Sequence, residues 1–165
     1  MRETIASTWT MQLVFGFTFL FVSFLAVTIS YSRSFRVKNE VISIIEKYGG
    51  YTSTAKQIID DYIVTTGYTV RGKCPFDPGD EMFGIKNPGE EADMINNPGN
   101  NNLYLYCVKR KYANNNQVTN VVYEVTMFYR FNLPIVGNIT KFVIKGKTTD
   151  LLEKNDLFDA FFDFY

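Results

Sequence analysis

Histidine is absent from all 165 residues, and that gap excludes more chemistry than any other feature of the chain. It removes the commonest general base at neutral pH, the His-containing triads and most zinc sites. No GxSxG, P-loop or dinucleotide glycine pattern is present, so there is no nucleophile elbow and no phosphate-cradling loop. An excess of either charge is also missing. Lysine plus arginine and aspartate plus glutamate number 17 each, which leaves nucleic acid no electrostatic footprint to bind. The sequence therefore predicts a non-enzymatic protein with no catalytic residue, no cofactor and no metal ligand. Cysteine is scarce as well: only Cys74 and Cys107 occur, neither in a CxxC pair. In a small domain outside the cytoplasm an isolated pair reads as one disulfide, with two buried free thiols as the alternative.

Formal charge vanishes over residues 11–31, where Leu13, Val14, Phe15, Phe17, Leu20 and Phe21 begin a run rich in Phe, Leu, Val and Ile. At about 1.5 Å per helical residue the run reaches roughly 30 Å, the thickness of a bilayer's hydrocarbon core. Its apolar side chains favour insertion by roughly 4–7 kcal/mol. A cleaved signal peptide is the competing reading, but such h-regions span only about 7–15 residues and end in a small-x-small site. No Ala-x-Ala follows Ala26. The expected organisation is a short tail over 1–10, one membrane-spanning helix over 11–31, and a domain over 32–165. Arg33, Arg36 and Lys38 outweigh Arg2, a bias that points the domain toward the cytoplasm. The cysteine pair and the Tyr/Phe/Asn-rich strands point the other way, and the reading adopted is a single-pass cell-membrane protein with its C-terminal domain extracytoplasmic.

Helical periodicity continues past the run. Val37, Val41, Ile44, Ile45 and Tyr48 share one face, the expected core face of a spine helix, while Lys38, Glu40 and Glu46 fall on the outer face. Gly49-Gly50 supplies the stop. Thr54-x-x-Gln57 reads as the capping box of a second helix with Ala55, Ile58, Ile59, Tyr62 and Ile63 as its stripe and Gly67 as its end. The period then changes from 3.6 to 2. Residues 68–70, 103–112, 118–133 and 139–148 are strand candidates, with turns at 113–117 and 134–138, and sequential antiparallel pairing of the last three is the simplest topology. The stretch 75–102, with Pro-Gly steps at 78, 88 and 98, is expected to be a loop. Its acids lack the alternating ligand spacing of a calcium site. Glu124 and Arg130 read as surface residues. The tail 150–165, with Leu157, Phe158, Phe161 and Phe162 among aspartates, reads as a docking helix or a loose peptide. The predicted class is α+β, a long membrane-spanning and amphipathic helix and a second short helix packed on an antiparallel sheet.

Within the run, Gly16, Ser23, Ala26 and Ser30 fall on nearly one helical face, a stripe of small residues that lets another helix approach closely. Many membrane helices carry such a stripe by chance. Joined to an unbroken amphipathic extension, it suits a helix-cored assembly.

This layout resembles type IV pilin and pseudopilin subunits, and within them the TadE-like minor pilins of bacterial tight-adherence systems. Two stretches carry the likeness: the apolar run leading into Phe35-Arg36-Val37-Lys38-Asn39-Glu40-Val41, and residues 121–147, where Tyr129-Arg130-Phe131-Asn132-Leu133-Pro134 turns through Val136-Gly137 into a final strand. The chain departs from the prepilin pattern at Thr8-Trp9-Thr10-Met11-Gln12-Leu13, which contains no acidic residue. The resemblance implies a minor subunit in pilus assembly, secretion or adhesion. Its implied partners are membrane lipid and other pilin-like or secretion-system subunits, including further copies of this chain, met through the N-terminal helix. A scaffold component of a conjugation or type IV secretion channel, and an extracytoplasmic binding domain, are the alternative readings.

Overall fold

The computed structural model describes residues 2–77, 79, 81–96, 101–115, 118–133 and 137–152. The Pro-Gly steps at 78 and 98, the Pro134 corner and the tail from 153 onward lie outside the described residues.

One helix, α1 (Arg2–Lys47), runs for 46 residues through both the apolar run and the amphipathic stretch, so most of the expected tail is helical too. No proline interrupts it, and it stops where Gly49 takes a positive φ of 69° and Gly50 N–H returns to the Ile45 carbonyl at 2.9 Å. Val37, Val41, Ile44 and Ile45 are buried. Tyr48 is not: at 37 % exposure it sits past the last helical residue, where the chain turns away from the core face. Lys38 departs from expectation in the opposite sense and is buried. Its methylene stem passes over Gly146, whose missing side chain leaves room for it, and its ammonium lies 4.2 Å from the Phe35 ring centroid.

The second helix, α2 (Ser53–Thr66), starts two residues earlier than the Thr54 box implies: Thr52 is the N-cap, its hydroxyl accepting from Ala55 N–H at 3.2 Å. Gly67, at φ 63°, closes the other end, and Tyr68 N–H reaches back to the Ile63 carbonyl at 3.2 Å. Ala55, Ile59 and Ile63 turn inward.

The strands are β1 (Glu81–Ile85), β2 (Asp93–Met94), β3 (Tyr106–Asn115), β4 (Val118–Leu133), β5 (Gly137–Lys147) and β6 (Leu151–Leu152). They form an antiparallel sheet in the order β2-β1-β3-β4-β5, with β6 following β5 along the same edge of β4. The stretch 75–102 is thus not only a loop: β1 pairs with β3 through Phe83 and Val108, and β2 adds a sheet edge. Residues 68–70 form no strand; Gly72 makes a single bridge to Tyr104 instead.

Both faces of the sheet are covered. Val121, Tyr123, Val125 and Met127 of β4, with Tyr106 and Val108 of β3, pack against α1 and α2. On the reverse face, Phe128, Cys107, Met82, Tyr104 and Ile95 form a smaller core with Val70, Cys74 and Phe76. The Cys74–Cys107 disulfide fastens that covering segment to β3. Glu124 is consequently buried rather than on the surface, held between Lys111 at 3.4 Å and Lys145 at 3.5 Å.

Candidate functional site: the exposed half of α1 and its junction with the sheet

The residues available for function are those the fold leaves uncovered. Phe17, Leu20, Phe24 and Ile29 are each more than 60 % exposed, and Thr8–Lys47 contains a segment long and apolar enough to cross a membrane. None of its most apolar window is buried inside the domain. Three hydroxyls in the run bond to their own helix: Thr18 donates to the Val14 carbonyl at 2.8 Å, Thr28 to Phe24 at 3.0 Å and Ser30 to Ala26 at 2.9 Å. Each hydroxyl proton is thereby satisfied without water, as an apolar solvent requires.

The small-residue stripe is not uniform. Gly16 is open, with nothing within 4 Å of where a side chain would begin. Ser23, Ala26 and Ser30 are half-covered, and the Ser23 hydroxyl is buried without a hydrogen-bond partner among the described residues. Just beyond, the far end of β4 meets the helix: Tyr31 packs edge-on to Tyr129 at 5.8 Å, and Tyr129 stacks on Phe142 at 5.1 Å. Phe142 is 40 % exposed because this end of the β4–β5 pair extends past the body of the sheet. Arg33 bridges the same junction. Its guanidinium donates to the Thr66 carbonyl at 2.5 Å and to that of Gly67 at 3.3 Å, placing a cation on the negative end of α2.

A second polar cluster has no signature in the sequence. Asp60 of α2 is buried, accepts from Gly89 N–H at 3.0 Å and from the Tyr106 hydroxyl at 3.4 Å, and Tyr106 lies 3.3 Å from the Tyr51 hydroxyl. Burial is the main cause pushing the Asp60 carboxyl up, and the Gly89 and Tyr106 contacts pull it back only in part. Burial likewise drives the Tyr51 and Tyr106 hydroxyls upward. The cluster fixes the turn at 86–90 to α2, and its polar members sit inside otherwise helical and strand-like periods, where only three-dimensional proximity brings them together. Among the described residues, no group of three or more Cys, Asp or Glu side chains is placed to hold a metal ion.

No protein-family model, curated protein or solved structure matches the chain.

Proposed function

We propose that the chain is a single-pass, membrane-anchored structural subunit of the pilin-like kind, serving pilus or secretion-system assembly rather than catalysis. The observation supporting this reading is the division of labour along one unbroken helix. Its first half offers exposed apolar side chains to lipid or to neighbouring helices, and its second half forms the core of a disulfide-tied α+β domain. A helix continuous across that boundary transmits position rigidly from the membrane to the domain, which a helix-cored assembly needs and a tethered binding module does not.

A photocrosslinking side chain placed at Gly16 in cells tests the proposal. The expected result is a ladder of higher-order products that shortens when Ser23 and Ala26 are replaced by leucine, because bulk on the stripe separates packed helices. Crosslinks to lipid alone would overturn it. A ladder that persists unchanged in the double variant would favour a scaffold whose contacts run through the domain.

A further inference from the structure

Where the apolar run ends and the domain begins, a cavity of about 300 Å³ opens between three elements. It is lined by Ser30, Arg33 and Ser34 of α1, Tyr68 beyond α2, and Tyr129 and Arg130 of β4, with no aspartate or glutamate among its lining residues. Arg33 is held at the wall by the α2 carbonyls. Arg130 is exposed, and its side chain makes no ion pair or hydrogen bond among the described residues. Ser34 is only 5 % exposed, lines the cavity, and has no hydrogen-bond partner among the described residues. Its hydroxyl opens onto the cavity and is free to donate to whatever occupies that space.

The surroundings suggest what fills it. Tyr31, Phe35 and Phe142 ring the junction with 40–44 % of their surface exposed, and rings of that kind settle at the headgroup level of a bilayer. On the reading of residues 11–31 as the membrane span, the cavity lies at the same depth. We propose that it binds the phosphodiester headgroup of an anionic phospholipid, with Arg33 and Arg130 pairing its charge and the Ser34 hydroxyl donating to a phosphate oxygen. This inference rests on the anchored reading but not on polymerisation. Guanidinium groups suit the task because their planar N–H forks match phosphate oxygens. Bound there, the lipid fixes the height and tilt of the domain over the membrane.

The test uses the full chain in nanodiscs of mixed phosphatidylcholine and phosphatidylglycerol, with co-purifying lipid read by native mass spectrometry. Phosphatidylglycerol is expected to be retained preferentially. Arg130→Gln should lower that preference about fivefold, the effect of one basic side chain at an anionic surface. Ser34→Ala, which changes no charge, should lower it about tenfold, the worth of a hydrogen bond to a charged group. Lys141→Gln, a cation on the strand beside Arg130 but outside the cavity, should leave it unchanged. Equal losses from Arg130→Gln and Lys141→Gln, with none from Ser34→Ala, would reduce the effect to general surface charge and overturn the site. Displacement of the lipid by inorganic phosphate would assign the cavity to a free anion and overturn the lipid assignment. An inserted chain without lipid preference sinks the site alone, whereas failure to insert sinks the anchor with it.

Discussion

The Tyr68 hydroxyl holds both backbone polar groups of Phe128, donating to its carbonyl and accepting from its N–H at 2.9 Å. The pairing of β3 with β4 ends at Tyr106 and Met127, so Phe128 is the first β4 residue without a strand on that side. In an antiparallel ladder the N–H and C=O of one residue point to the same neighbour. A single side chain thus takes the place of the missing strand. Burial pushes the Tyr68 hydroxyl well above its ordinary range, so it stays protonated and able to donate.

Tyr68→Phe leaves two buried backbone groups unpaired and should cost about 2–4 kcal/mol. Urea denaturation of the detergent-solubilised chain measures the loss. A change below about 0.5 kcal/mol, the size of an ordinary surface substitution, would show that the hydroxyl contributes nothing there.

Ile44→Asp places an unpaired carboxylate in the main core and should cost about 4 kcal/mol or more, a large share of the roughly 5–15 kcal/mol that holds a domain together. Glu40→Ala, on the exposed side of α1, should change stability by less than about 0.5 kcal/mol. Glu46→Ala should fall between them, at about 1 kcal/mol, because its carboxylate accepts from Thr149 N–H at 2.7 Å. That ranking, read from denaturation midpoints, checks α1 as the spine of the domain.

Reduction of Cys74–Cys107 releases a loop with a sequence separation of 33 residues and should cost about 3–4 kcal/mol through the entropy of the unfolded chain. For a chain of this size that corresponds to a fall in Tm of roughly 10 °C. Thermal scans with and without reductant measure it, and the reverse-face core over Phe128 should be the first region to gain hydrogen exchange.

Asp60 should make part of the stability pH-dependent. Its folded value lies above its unfolded one, so its contribution is complete in acid below the unfolded value and is lost as pH rises through the folded value. Asp60→Asn keeps an acceptor for Gly89 N–H and removes the titration. The variant should be more stable than the parent near neutral pH, and that advantage should vanish in acid. Asp77 runs the opposite way: its hydrogen bond to Lys109 holds the carboxyl low, so that contribution is lost as pH falls. The difference between the Asp60 variant and the parent, measured across pH, isolates Asp60.

The elements written as long local periods are legible in the amino-acid sequence by itself. The apolar run and the Val37-to-Ile45 stripe specify one helix because no proline breaks it and glycine waits at its end. Alternation over 118–133 specifies β4 to both of its limits, since a strand half-buried against a helix must repeat every second residue. Composition is legible in the same way: the chain has no histidine and a single pair of cysteines.

Tertiary structure alone decided the rest, because it depends on contacts between residues far apart in the chain. The short strand β1, with Gly84 in its middle, acquires its identity only from pairing with β3. Phe128 and Glu124 sit on what alternation marks as the outer side of β4, yet both are buried, one under a segment fastened through Cys74 and the other between two lysines. Gly72 carries no local signal, but a side chain there would collide with the Phe128 ring. The junction cavity joins residues 30–34, 67–70 and 129–130. A periodic pattern records which side of an element is apolar; what comes to cover the other side is a long-range packing choice that no local period encodes.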